Sequence, residues 1–315
     1  MADAVVQPAA QRYALITGAN KGIGFQICRQ LESKGIVVIL ASRDEKRGIK
    51  ARERLLKEFG VSSDNVVLHQ LDVVDPASVA AVYEFIESRF GRLDILVNNA
   101  GIRGADVDGD VSLLEEYIKA DGATISAGGK AEPFHPKANG RLVETFENAE
   151  ECIETNYYGA KRVTEALLPL LHQSDSPRIV NVSSLLGSLV LQTNERAKGV
   201  FSNEEGLTQD KVDEVVQEFL KDFKEGKLEE NNWPPHFPAY KVSKEALNAY
   251  TMLLAKRNPS FCTNAVCPGF SRTDMTFNSG LISESEAAEA PVKLALLPDG
   301  GPSGSFFYRE EALSL

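Results

Sequence analysis

The chain has 315 residues, 43% of them hydrophobic and 25% charged, a composition that excludes disordered, collagen-like and coiled-coil chains and suits a large globular domain. Its 34 basic and 45 acidic side chains leave a formal charge of −11, which opposes binding to nucleic acid or to an anionic membrane surface. No apolar run has the length of a membrane span, Met1–Gln11 lacks the basic and apolar regions of a signal peptide, and Cys28, Cys152, Cys262 and Cys267 read as the reduced thiols of a cytoplasmic protein.

Short β-rich runs cover Tyr13–Thr17, Val37–Ala41, Val66–Gln70, Ile95–Asn98, Arg178–Ser183, Thr263–Cys267 and Ser305–Tyr308. Between them, helical periodicity covers Gly22–Lys34, Lys46–Phe59, Ala77–Phe90, Ala149–Leu171, Ala239–Lys256 and Glu284–Leu297. Ile23, Ile27 and Leu31 recur every fourth residue, so one face of the first helix is apolar. The run Val37-Val38-Ile39-Leu40 does not alternate, which suits a strand covered on both faces. This rhythm predicts an α/β fold of Rossmann type. Residues 1–315 would form one domain around a doubly wound parallel sheet of about seven strands, with helices on both faces. Two stretches interrupt it, 104–141, with a turn-like Glu132–Pro136, and 192–238, with a helix over Lys211–Lys224 and the turn Trp233-Pro234-Pro235. Both follow carboxyl ends of strands, where ligands bind in open α/β sheets, so both are predicted to form a lid.

The first strand leads directly into Thr17-Gly18-Ala19-Asn20-Lys21-Gly22-Ile23-Gly24 and the first helix. In this order Gly18 permits a tight turn, Gly22 lets the backbone approach a pyrophosphate, and Gly24 lets helix pack on strand. The helix start offers unpaired N–H groups to the phosphates. The second strand ends in Ala41-Ser42-Arg43, without the acid that holds the ribose hydroxyls of NAD; Arg43 and Lys21 suit the 2′-phosphate of NADP instead. The alternatives are that both cations are solvated surface charges, and that Asp44 reaches a ribose from a longer strand.

Tyr240 and Lys244 lie one turn apart on a predicted helix and share a face. A phenol with a pKa of about 10 exchanges protons poorly at neutral pH, and a nearby ammonium favours its ionised form. Arg178–Ser184 supplies a buried strand ending in the hydroxyls of Ser183 and Ser184. The histidines His69, His135, His172 and His236 show no ligand spacing, and Asp106-Val107-Asp108-Gly109-Asp110 has Val111 where a calcium loop needs glycine, so no metal is expected. Trp233, Phe237, Phe270 and Met275 flank these segments and either wall an apolar pocket or pack loops.

Thr17-Gly18-x-x-x-Gly22-x-Gly24, Asn98-Asn99-Ala100-Gly101, Ser184, Tyr240-x-x-x-Lys244 and Pro268-Gly269 follow one another over most of the chain. Together they resemble the short-chain dehydrogenase/reductase family. The resemblance implies that Ser184 binds the substrate oxygen and Tyr240 donates the proton. Lys244 would lower the tyrosine pKa and bind the nicotinamide ribose, while Asn156 would hold a relay water beside it. NADPH would be held by Gly18, Asn20, Lys21, Gly22, Ile23, Gly24 and Arg43. Asp72 and Val73 would meet its adenine, and Asn98, Ala100 and Gly101 would line it. Pro268, Gly269 and Thr273 would close on its nicotinamide end. Ser183 competes for the serine role, although the second serine of the pair is the usual match.

The long gap between Ser184 and Tyr240 and the 104–141 insertion resemble the plant monomeric branch of the family, whose insertions cover the helix faces through which other members form tetramers. A monomer is therefore implied. So is NADPH-dependent reduction of a small apolar cyclic monoterpenoid ketone, menthone to neomenthol. The alternatives are reduction of a bulkier alkaloid ketone, reduction of the conjugated C=C bond of isopiperitenone, or dinucleotide sensing without catalysis. Members of the branch that reduce the C=C bond carry Glu at the tyrosine position, so Tyr240 argues for carbonyl chemistry.

Overall fold

A computed structural model describes residues 11–129 and 134–313. Residues 1–10, and Glu132 and Pro133 of the expected turn, lie outside the described residues. The first half alternates as β1 (Tyr13–Ile16), α1 (Gly22–Glu32), β2 (Val37–Ser42), α2 (Glu45–Phe59), β3 (Val66–Gln70), α3 (Pro76–Phe90) and β4 (Ile95–Asn98). The first insertion then forms β5 (Asp106–Gly109), α4 (Ser112–Ser126) and β6 (Gly140–Val143). The chain returns through α5 (Phe146–Ile153), a π-helical turn (Glu154–Gly159), α6 (Ala160–Leu171) and β7 (Arg178–Val182). The second insertion carries α7 (Glu195–Ser202) and α8 (Gln209–Lys224); α9 (Pro238–Arg257), β8 (Cys262–Cys267), α10 (Glu284–Ala295), β9 (Phe306–Tyr308) and β10 (Glu311–Leu313) follow.

Eight strands form one sheet in the order β3-β2-β1-β4-β7-β8-β9-β10, parallel except for the β9–β10 pair. Every residue of β2, β4, β7 and β8 is buried, as strands covered on both faces require. Successive side chains feed opposite cores. Leu15, Ile39, Leu96 and Ile179 pack on one side with α6, α8 and α9, and Ile16, Leu40, Val97 and Val180 pack on the other with α1 and α10. The eighth strand, β10, was not expected from the sequence. It is an exposed, three-residue edge strand, too short to show a period. The helix predicted over Ala149–Leu171 is interrupted by the π-helical turn, which places Asn156 against the loop after β4.

The strand order reverses between β1 and β4, and the loops at their carboxyl ends diverge to leave a crevice. The first insertion borders that crevice with one face of α4. The second contributes Phe237 to it, and otherwise packs outside α5, α6 and α9.

Candidate active site

β1 runs into Thr17, whose hydroxyl accepts hydrogen bonds from the Asn99 and Ala100 amides at 2.9 Å each. This ties the glycine turn to the end of β4. Gly18 and Gly22 adopt φ +64° and +62°, a left-handed region that costs glycine little. A Cβ on Gly18 would lie 2.9 Å from the Ala100 Cα, and one on Gly24 would lie 2.4 Å from the Asn99 side-chain amide. Gly24 therefore packs helix on turn, behind the site. Gly18, Asn20, Lys21, Gly22 and Ile23 line one end of a continuous cleft of ≈ 1020 Å³, at the top of the ~300–1,000 Å³ range of ligand pockets.

At the far end of this half stand Arg43, Asp72 and Val73, as the resemblance implies. Arg47 joins them, one helical turn beyond Arg43, and the sequence reading had passed it over. Asp44 is the N-cap of α2, its carboxylate accepting from the Arg47 amide at 3.0 Å. Backbone hydrogen bonds lower its pKa, and Asp44 lines the cleft as well as capping the helix. Lys21 reaches across the cleft mouth to Asp274 at 2.6 Å, and Arg43 lies 3.8 Å from Glu151. Asn98 must be reassigned. Its side chain is buried in the sheet, donating to Thr164 and Asn181 at 2.8 Å each, and it is Asn99 that lines the cleft. Strand alternation explains the difference, because neighbouring residues point to opposite faces.

Ala100, Gly101, Pro268, Gly269 and Thr273 line the cleft, together with Ser183, Ser184, Tyr240 and Lys244. Ser184 caps a 3₁₀ turn, its oxygen accepting from the Leu186 amide at 3.1 Å, which leaves its O–H to donate. Lys244 donates to the Val182 carbonyl at 2.9 Å, and its nitrogen lies 5.6 Å from the centre of the Tyr240 ring. Burial governs both groups. It pushes the Tyr240 phenol up, with the Ser184 hydrogen bond offsetting part of the rise, and brings Lys244 down to about 8. The phenol therefore stands above its ordinary value, whereas the sequence reading expected the ammonium to lower it.

Asn156 sits just behind this group. Its Oδ1 accepts from the Ile102 amide at 2.8 Å, and its Nδ2 donates to the Ile102 carbonyl and the Ser243 hydroxyl at 2.9 and 3.0 Å. The side chain is thus committed to holding the loop after β4 against α9. A Cβ on Gly101 would fall 3.1 Å from that Oδ1 and 3.7 Å from the Lys244 nitrogen, so glycine keeps the wall thin there.

Residues 12–121 match the profile of the short chain dehydrogenase family. The chain is 64% identical to (-)-isopiperitenone reductase of Mentha piperita over 309 residues, covering 97% of this chain and 98% of that protein. The chain belongs to the short-chain dehydrogenase family. Among solved structures, menthone neomenthol reductase from Mentha piperita superposes with a TM-score of 0.88 at 66% identity, covering 96% of this chain and 100% of that one. Salutaridine reductase from Papaver somniferum gives 0.83 at 47% identity, with 95% and 99% covered.

The other half of this dehydrogenase's cleft is apolar. Leu114, Ile118 and Ile125 of α4 face Leu185, Phe237 and Phe270. Phe237 and Met275 wall it as one sequence alternative had it, while Trp233 packs on Phe219 at 5.2 Å between ring centres and lines no part of it. The α4 residues went unassigned in the sequence, although their spacing of three and four was visible there. Arg103 pins the two rims together, donating to the Ala105 carbonyl at 2.7 Å and to the Met275 carbonyl, with its guanidinium 4.4 Å from the Phe277 ring centre.

Proposed function

We propose that this dehydrogenase reduces a small apolar cyclic ketone to its alcohol with NADPH, menthone to neomenthol first among the candidates, and acts as a cytoplasmic monomer. One observation carries the reading: the Tyr240 phenol and the Ser184 hydroxyl lie between a half-cleft built for a dinucleotide and a half-cleft lined by aliphatic and aromatic side chains. The dinucleotide half fits its ligand. Gly18 and Gly22 hold the left-handed turn that opens this half, and Arg43 and Arg47 line it as cations suited to a 2′-phosphate, with one Asp44 oxygen engaged as the cap of α2. α8 packs on α9 and α5, which supports the monomer.

When bound, the nicotinamide would supply hydride to the carbonyl carbon. The chain's own part is to hold the oxygen and deliver a proton. The Ser184 O–H donates to the ketone oxygen, and Tyr240 then protonates it. Because burial pushes the phenol up, Tyr240 holds its proton until negative charge develops on the substrate oxygen. Lys244, brought down to about 8, is still charged at neutral pH and attracts the phenolate as the proton leaves. Its role is to stabilise the ionised phenol formed during reaction rather than to ionise it beforehand.

Following NADPH oxidation and product identity with menthone and isopiperitenone tests this reading. Tyr240→Phe is expected to lower kcat for menthone by about 10²–10⁴-fold while NADPH still binds; retention of most of the activity would overturn the reading. A second reading, reduction of isopiperitenone at its C=C bond, is favoured by the 64% identical relative named for that ketone. A saturated ketone formed from isopiperitenone, with menthone left unreduced, would establish it instead.

A further inference from the structure

Lys241 follows the proton donor by one residue but does not line the cleft. Its side chain is 2% exposed, and it donates to Asp121 Oδ1 at 3.0 Å, with Oδ2 at 2.9 Å. Asp121 belongs to α4. That helix presents Leu114, Ile118, Gly122 and Ile125 to the cleft, positions three or four apart and therefore one face, with Lys119 at its edge. Asp121 stands on the adjoining stripe and reaches the first turn of α9.

Apart from this pair, the seat of α4 is small: Tyr117 packs on His236 and Phe237 at 4.3 and 6.1 Å between ring centres. Leu113 and Leu114 are its buried residues, and beneath it lies a small cluster of Ala105, Leu114 and Phe237, separate from the two cores of the sheet. Val111 at its N-cap makes no side-chain cap hydrogen bond, leaving the Asp110 carboxylate to accept from the Ser112 amide at 2.9 Å, and Gly122 weakens its interior. A helix of 15 residues with these features is marginal alone. A buried ion pair adds little net stability, since desolvation offsets attraction, but it compensates both charges in one arrangement only. Such a pair sets position.

We propose that the Lys241–Asp121 pair is a latch that seats α4 over the catalytic helix and thereby confines the cleft to small ketones. The size limit rests on the ketone-reductase reading; the latch itself does not. Both are positioning residues, acting through Ile118 and Ile125. Lys241 also lies within the influence of Glu144 and His236, so loss of the Asp121 charge leaves a carboxyl group near the buried ammonium, and Asp121→Asn is expected to fold.

The test compares the parent chain with Asp121→Asn and Asp121→Glu by amide hydrogen exchange, NADPH binding and kinetics on menthone and the bulkier salutaridine. Asp121→Asn is expected to speed exchange across Ser112–Ser126 at least about tenfold. It should also raise KM for menthone about tenfold with kcat within about twofold, and shift kcat/KM toward salutaridine. Asp121→Glu, which keeps the charge, should restore most of each effect. Unchanged exchange in α4 would overturn the latch, as would a variant whose exchange rises everywhere and whose NADPH binding is lost. If the parent chain reduces neither ketone, the ketone reading fails, and exchange in α4 still decides the latch.

Discussion

Both insertions leave carboxyl ends of adjacent strands, β4 and β7, yet they meet the rest of the molecule in opposite ways. The second places Val212, Val215, Val216 and Phe219 of α8 in the same core as α6 and α9. Its polar ties are also buried or half-buried: Asp213 accepts from Tyr157 and Lys161 at 2.5 and 2.6 Å, and Asp222 accepts from Asn231 and Trp233 at 2.8 Å each. The first insertion has a largely exposed antiparallel β5–β6 pair, and a helix resting on a small cluster, the ring contacts of Tyr117 and one buried ion pair. An insertion absorbed into the core becomes scaffold, and its loss is felt as unfolding. One seated on a few contacts can shift relative to the scaffold, and its loss is felt as altered substrate choice.

Core substitutions give the largest contrast. Phe219 is fully buried and meets Trp233 edge-on at 5.2 Å and Phe223 at 5.9 Å. Phe219→Ala is expected to lower stability by about 3–5 kcal/mol, read from denaturant unfolding. Ile118→Ala, on the half-buried cleft face of α4, should cost below ~1 kcal/mol and change KM for the ketone instead. Equal losses at the two positions would break the comparison.

Each insertion also reaches α9 through a carboxyl raised by burial. Glu245, beside Lys244, accepts from Gln192 of the second insertion at 2.6 Å through Oε2, while Oε1 is buried without a donor among the described residues. Its pKa is pushed up from 4.5 to about 8. Glu144, just past β6, is pushed up to about 7, with Lys241 and the Phe237 amide holding it back. The folded chain keeps these protons where the unfolded chain has released them. The contribution of these two groups to stability is therefore greatest below 4.5 and falls as pH rises, until about 7 for Glu144 and about 8 for Glu245, by up to ~1.4 kcal/mol per unit of displacement. Glu245→Gln should flatten the stability profile more than Glu144→Gln does, because Glu245 is the more deeply buried. A fall in kcat is expected above pH 8, as Lys244 loses its charge, and should survive Glu245→Gln; its disappearance would assign that limb to Glu245.

What the sequence disclosed follows the same division. The parallel sheet, the glycine turn and the Tyr240–Lys244 pair were legible because each rests on local spacing: unbroken apolar runs, glycines at fixed offsets, and two residues one turn apart. Asn98 was misplaced because two adjacent asparagines differ only in which face they take, and strand alternation settles that. The burial that raises Tyr240 and lowers Lys244 depends on β7, β8 and the loop after β4 closing around them, which no local pattern records. No local spacing marks Lys241, since Asp121 lies 120 residues earlier. The role of α4 was equally hidden, because its seat is a tertiary pairing.

The smallest predicted effect separates the helix from its seat. Gly122 lies inside α4 at the cleft wall, and a Cβ there would meet nothing within 4 Å. Since glycine in a helix interior costs ~0.5–1 kcal/mol against alanine, Gly122→Ala should stabilise α4 by about that amount and slow its amide exchange. The rest of the molecule should exchange as before, because the core holding the second insertion does not depend on α4. The added methyl projects into the wide apolar half of the cleft, so menthone turnover should change by less than about twofold. If the variant instead slowed exchange in α8 as well, the two insertions would form one cooperative unit, and the contrast between scaffold and movable wall would be lost.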